Sequence, residues 1–338
     1  MSGHPEGRCG IEIVGIGSFL PERVLTNHDL ESMMDTSHEW IVKRTGIHQR
    51  HKADWENGET VLHLAKPALE NTLADAGIEA KELDLVILAT MSQEMSCPPT
   101  ACRLVDMVGA GNAGAFDFSG ACCGFVFATN VAYGLMQTGP YNTVAVIGGD
   151  TLTDIVEYNT RGRAAAILFG DAAAGVILKK TDDQSKGLLG QAMHSDGSRW
   201  AGLYIPNTKF DFAPGDEPDE EQFGLLQMNG ASVFRFAVET FPQVIESTLE
   251  KAGVSPDEVD HYVCHQSNQR ILSAARDRIG FSEDKMLVNI DKYGNTVAAS
   301  VPLVLNDLHK AGKIKRGQKI MMVGLGGGLT WGTSLWQL

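Results

Sequence analysis

The sequence contains no apolar run long enough to span a bilayer. Its first residues, Met1 to Cys9, are polar and lack the apolar core of a signal peptide. The expectation is a cytoplasmic protein with no membrane partner. Positive charge is also in short supply. There are 28 lysines and arginines against 42 aspartates and glutamates, a formal net charge of −14, which argues against nucleic acid as the main partner. Cysteine is sparse: the six residues at 9, 97, 102, 122, 123 and 264 form no CxxC pair, so neither a zinc site nor a disulfide framework is expected. No metal and no cofactor is expected. With 43% hydrophobic and 21% charged residues, a disordered chain is excluded. A chain of 338 residues has room for one large core or two fused smaller ones.

What is present is an alternation of helical and strand patterns, given twice. Ile11 to Gly15 reads as a buried strand. Leu62, Ala65, Leu69, Leu73 and Ala76 recur at helical spacing, and Gly77 is placed to cap that helix. Leu83 to Ala89 is a continuous apolar strand, as in a sheet covered on both faces. Residues 68–78 then resemble residues 244–254, at an offset of 176. A second block, Asp117 to Gly120, parallels Asp291 to Gly294. Each block leads into a helical pattern and then an apolar strand ending in glycines, Val144 to Gly149 and Ile320 to Gly324. Two matched blocks in one order imply two similar α/β halves with largely parallel sheets. The halves are taken as residues 1–180 and 181–338. Between the regular parts, residues 180–230 are less patterned, and the acidic run Asp216 to Glu221 reads as a solvated loop.

The stretch Asp117 to Phe125 organises the chemistry. Small residues turn out of a strand into a helix and place Cys122 near the helix start. Unpaired N–H groups and the helix dipole favour negative charge there, so a lowered thiol pKa is expected. In comparable loops lie His265, at a strand end, Asn295, and the triplet Gly326-Gly327-Gly328. Taken singly, each has an ordinary structural explanation: a core filler, a strand cap, a turn residue, a tight turn. Together they supply a thiol nucleophile, an imidazole, an amide donor and exposed backbone N–H groups, the set that acyl transfer through a thioester requires.

With these motifs the sequence resembles β-ketoacyl-acyl-carrier-protein synthase III, of the thiolase-like superfamily. The resemblance rests on Asp117 to Phe125, His265 to Arg270, Tyr293 to Ser300 and Gly326 to Gly332, with Ser37 to Gly46 and Phe169 to Asp171 also fitting. It implies a thiolase-like fold, with duplicated α/β halves in five α-β-α-β-α layers, and a homodimer. It implies decarboxylating condensation of an acyl-coenzyme A primer with malonyl-acyl-carrier protein, initiating fatty acid synthesis. Cys122 would carry the acyl group. The N–H groups of Cys122 and Gly327 would form the oxyanion hole, and His265 and Asn295 would hold the malonyl thioester carbonyl. Trp40 and Arg163 would sandwich the adenine of coenzyme A, Arg44 and Asn268 would make further contacts to it, and Arg270 would lie on the carrier-protein docking surface.

The departures lie around the acyl pocket. Cys97 and Leu325 stand where the family commonly has bulky aromatics, and Cys123 replaces a small apolar residue beside the nucleophile. Lost ring volume leaves room for a primer longer than acetyl. Three other readings compete. One is a specialised acyltransferase or condensing enzyme of the same superfamily, serving secondary metabolism. Another is a cysteine hydrolase, disfavoured because Cys122 lies far from the N-terminus and outside any CGSCW-type signature. The last is a non-catalytic acyl-coenzyme A binder, disfavoured by the joint presence of Cys122, His265 and Asn295.

Overall fold

The computed structural model describes residues 9–338. The polar stretch Met1 to Cys9 therefore lies, except for Cys9, outside the described residues. The principal elements are β1 (Gly10–Phe19), α1 (His38–Thr45), α2 (Val61–Ala76), β2 (Leu85–Ala89), β3 (Gly114–Phe118), α3 (Gly124–Thr138), β4 (Thr143–Asp150), β5 (Ala172–Thr181), β6 (Gly187–Ser195), α4 (Gly230–Ala252), β7 (His261–Cys264), α5 (Gln269–Ile279), α6 (Ser300–Lys310), β8 (Lys319–Gly326) and β9 (Thr330–Gln337). Local signals set many ends. Gly77 at φ 64° stops α2, Ser37 accepts the Trp40 N–H at the start of α1, and Gly46 at φ 83° ends it.

The two main sheets have the orders β1-β5-β4-β2-β3 and β7-β8-β9-β6, beside two short two-stranded ribbons. The expected largely parallel sheets are mixed instead. β4/β2, β2/β3 and β7/β8 are parallel, whereas β1/β5, β5/β4, β8/β9 and β9/β6 are antiparallel. The reason is connectivity. Only residues 327–329 separate β8 from β9, and so short a link permits only an antiparallel partner.

Helices α3 and α6 fill the space between the sheets. One core joins Phe125, Ala128 and Ala132 of α3 and Val301, Val304 and Leu308 of α6 to strands of both sheets. A second core packs α2 on the outer face of the first sheet, and a third packs α4 and α5 on the outer face of the other. The result is five layers, α-β-α-β-α.

The duplication holds its 176-residue register far beyond the block where sequence similarity is visible. It relates the starts of β2 and β7, the one-turn segments Ala121–Cys123 and Val297–Ala299, the starts of α3 and α6, and both ends of β4 and β8. The second matched block is thereby corrected. Asp117 lies in strand β3, but Asp291 lies in a single helical turn, Ile290–Tyr293, and the pairing is two residues out of step. The second half has no strand there because its chain is drawn into the first half: the Asn295 N–H donates to the Leu168 carbonyl at 2.8 Å, and the Gly170 N–H to the Asn295 carbonyl at 3.0 Å.

Candidate active site

Equivalent elbows of the two halves meet, and each is strained. Ala121 (φ 46°) and Val297 (φ 51°) are the two non-glycine residues with positive φ among the described residues. A β-branched residue in this region is uncommon and persists only when its surroundings hold it. Ala121 immediately precedes Cys122, and Val297 follows Asn295 by two. Close approach of backbones completes the arrangement. A Cβ on Gly326 would lie 2.8 Å from the Cys122 nitrogen, and one on Gly148 would lie 2.2 Å from the Ala298 carbonyl oxygen. Neither position has space for a side chain.

Cys122 is buried but lines a cavity of about 1140 Å³ that also receives His265 and Asn295. Cys123, fully buried, packs instead toward Thr330 and Gly332, and burial pushes its thiol up to about 12. The expected lowering of the Cys122 pKa is reversed. Burial pushes its thiol well up, Cys123 and Asp150 push the same way, and a hydrogen bond from Asn295 opposes them. Magnitudes explain the sign. Full desolvation shifts a group by up to about 3–5 pKa units, whereas a helix terminus contributes about 2 kcal/mol at most.

His265 ends the apolar run of β7, and its N–H donates to the Val323 carbonyl at 2.8 Å. It is 1% exposed and its Nδ1 has no hydrogen-bond partner. Burial lowers its pKa to about 3, so the ring is neutral at working pH and acts as a hydrogen-bond donor or acceptor, not as a cation. The Asn295 Oδ1 accepts the Val297 N–H at 2.9 Å. That bond fixes the amide orientation and leaves Nδ2 as the donor toward Cys122 and the cavity.

The other expected site residues are arranged more unevenly. Trp40, Arg44, Arg163, Asn268 and Arg270 all line the same cavity. Arg44 and Arg163 place their guanidinium groups 4.7 and 4.8 Å from the Trp40 ring centroid. Arg163 also donates to the Asp35 carbonyl. Trp40 and Arg163 are thus in contact with each other, and a planar ligand would have to part them. Asn268 is already engaged. Its Oδ1 caps α5 by accepting the Arg270 N–H at 2.9 Å, and its Nδ2 donates to the Arg44 carbonyl at 2.9 Å. Arg270 lies 5.0 Å from the Phe234 ring. Gly326 lines the cavity; a Cβ on the neighbouring Gly327 would meet Leu203. Cys97 is exposed in the single chain, and Leu325 lines the cavity.

Sequence reasoning missed Asp150 and the apolar wall formed by Leu203, Phe234 and Phe236. For Asp150 a signal existed: a carboxylate closing an otherwise apolar strand. For the wall there was none, because Leu203 lies in a strand of only two residues and helix α4, which carries Phe234 and Phe236, shows only ordinary amphipathic spacing.

The family described as 3-oxoacyl-[acyl-carrier-protein (ACP)] synthase III matches residues 116–197, and its C-terminal part matches residues 249–338. The β-ketoacyl-[acyl-carrier-protein] synthase III of Caldanaerobacter subterraneus subsp. tengcongensis is 40% identical over 323 residues, 96% of each chain. The crystal structure of 3-oxoacyl-[acyl-carrier-protein] synthase III from Aquifex aeolicus superposes with a TM-score of 0.89 at 38% identity, covering 97% of this chain and 100% of the other. The priming β-ketosynthase of a polyketide biosynthetic pathway superposes with a TM-score of 0.88 at 31% identity, covering 99% and 98%. On this evidence, together with the fold and the pairing of the two elbows, the chain belongs to the β-ketoacyl-acyl-carrier-protein synthase III family, with its thiolase-like fold.

Proposed function

We propose that the chain catalyses decarboxylating condensation of an acyl-coenzyme A primer with malonyl-acyl-carrier protein, initiating fatty acid synthesis through an acyl-Cys122 intermediate. The observation that carries this reading is that one cavity is lined both by Cys122, His265 and Asn295 and by Trp40, Arg44 and Arg163. The Cys122 sulfur attacks the primer thioester, and coenzyme A leaves with the thiol proton. The N–H groups of Cys122 and Gly327 receive the oxyanion. In the second half-reaction His265 and Asn295 donate to the malonyl thioester oxygen. Carbon dioxide leaves, the enolate oxygen gains negative charge against these donors, and the enolate carbon attacks the acyl-Cys122 carbonyl, expelling the Cys122 thiolate, which takes a proton from solvent as the β-ketoacyl-acyl-carrier protein departs. A neutral His265 suits this task, because its N–H donates a hydrogen bond to the oxygen without acting as a strong acid toward it. The chemistry calls for no metal or cofactor.

In the same proposal Trp40 and Arg163 take the adenine, Arg44 and Asn268 hold coenzyme A, and Arg270 meets the carrier protein. Residues 1–180 supply the nucleophile and residues 181–338 the donors. A cytoplasmic homodimer is proposed. Strand β3 supports it, being an edge strand paired on one side only and hence a surface on which a second sheet can dock. Among the described residues no helix is long and apolar enough to cross a membrane. A specialised role is the second reading, supported by Cys97 and Leu325 and by the likeness to a priming β-ketosynthase.

The test is intact mass after incubation with a panel of acyl-coenzyme A thioesters, followed by carbon dioxide release from malonyl-acyl-carrier protein. An acyl adduct with malonyl-dependent carbon dioxide release is expected. An adduct without it would point to an acyltransferase.

A further inference from the structure

Asp150 closes strand β4 and is fully buried. Its Oδ1 accepts the Met91 N–H at 2.7 Å and the hydroxyls of Thr90 and Ser92 at 3.2 and 3.3 Å. Its Oδ2 accepts the Ala298 N–H at 3.1 Å. One carboxyl group thereby ties the loop after β2, in the first half, to the elbow of the second. Ala298 directly follows Val297, the strained residue whose N–H orients the Asn295 amide. Hydrogen bonds, not a cation, hold this carboxylate.

We propose that Asp150 is a positioning residue for the Cys122–Asn295 pair: its carboxylate anchors the strained elbow and sets negative charge beside the nucleophile. The anchoring follows from bond count. Loss of Oδ2 leaves a buried N–H unpaired next to a residue that already resists its own backbone conformation. The charge acts on Cys122 directly, since Asp150 is among the groups that hold the thiol up. Burial raises the Asp150 carboxyl to about 7, while its four donors pull it down. Its charge therefore changes near neutrality. The other ionisable group acting on Cys122 is Cys123, and His265 across the cavity is neutral. Below that range Asp150 is uncharged and the thiol ionises more readily; above it the carboxylate opposes ionisation.

The positioning half of this inference rests on the proposed reaction; the charge half does not. The experiment is iodoacetamide alkylation of Cys122 in the full chain, followed by peptide mass spectrometry across the neutral to alkaline range. In Asp150→Asn the Cys122 profile should move to lower pH by half a unit or more. Alkylation below the midpoint would then be about threefold faster. Malonyl decarboxylation should fall in the same variant as the elbow loosens. A purely structural carboxylate would lower the melting temperature and leave the profile in place. Thr90→Val removes one donor to Oδ1, which raises the Asp150 carboxyl further and leaves it less charged near neutrality. It should therefore move the neutral part of the profile in the same direction by a smaller step, and it decides the matter if Asp150→Asn does not fold. A profile unmoved, or moved to higher pH, in whichever variant folds overturns the proposal. Because alkylation needs no substrate, the result stands even if the wild-type enzyme runs a different reaction.

Discussion

On the proposed mechanism, Asn295→Ala should separate the two half-reactions by amounts that the geometry sets. The side chain makes two kinds of contact: Oδ1 accepts the Val297 N–H at 2.9 Å, and the amide bonds the Cys122 thiol. For self-acylation the loss is one hydrogen bond to the thiol, about 0.5–1.5 kcal/mol, or roughly two- to thirteenfold in rate. For decarboxylation the loss is a donor aimed at developing enolate charge, about 10²–10³-fold. The two rates should therefore part by about a factor of ten or more. The fold pays separately, since the Val297 N–H is left buried and unpaired, at about 1–3 kcal/mol. Quenched-flow mass spectrometry of the acyl-enzyme, carbon dioxide release from malonyl-acyl-carrier protein and a urea melt measure the three effects on one preparation. Equal fold-losses in both half-reactions would refute the reasoning. So would a larger loss in acylation, which would make Asn295 chiefly a partner of the nucleophile.

Four further outcomes are expected. Cys122→Ala should abolish the acyl adduct seen by intact mass, whereas Cys123→Ala should keep it, because Cys123 faces Thr330 and Gly332 rather than the cavity; an adduct mapped to Cys123 would contradict this. Asn268→Ala should cost about 1.5–2.5 kcal/mol in a denaturant melt, a lost helix cap plus the bond to Arg44, and should raise the KM for acyl-coenzyme A; unchanged stability would show that the cap is not used. His265 is held neutral at a pKa of about 3 against an ordinary 6.5, so the unfolded chain alone binds this proton as pH falls from about 6.5 toward 3, and the fold loses stability across that window. His265→Asn should move the acid-unfolding midpoint, followed by circular dichroism, to lower pH; a midpoint that does not move would assign acid unfolding to other groups. Cys97→Phe should lower kcat/KM for hexanoyl- and octanoyl-coenzyme A more than for acetyl-coenzyme A, and an equal effect on all primers would remove Cys97 from the acyl pocket.

Much of the fold was legible because its signals are local. The period of α2 and its glycine cap, the apolar run of β2 and the repeat between residues 68–78 and 244–254 depend on near neighbours in the chain. They were enough to give duplicated α/β halves. Strand direction was not legible, because a parallel and an antiparallel core strand carry the same apolar pattern. The displaced match at Asp291 fails for a related reason. Similar letters adopt different backbones once residues 168–170 bind the chain at Asn295.

The sequence by itself determined which residues are proposed as the reactive set: Cys122 at a strand-to-helix turn, His265 at a strand end, Asn295 in a glycine-bounded loop, and a glycine triplet after the last strand. It did so because thiol, imidazole and amide chemistry resides in residue identity. Only the tertiary structure decided their states. Cys122 was expected to be acidified by its helix, but burial in a cavity shared by both halves outweighs that field and holds the thiol up. His265 is neutral for the same reason. Asn295 points its donor at the site because the strained Val297 holds its oxygen, and Asp150 from the other half holds the next residue. Burial by both halves and the Asp150–Ala298 hydrogen bond, which joins residues 148 positions apart, exist only in the folded chain, so no local pattern encodes them.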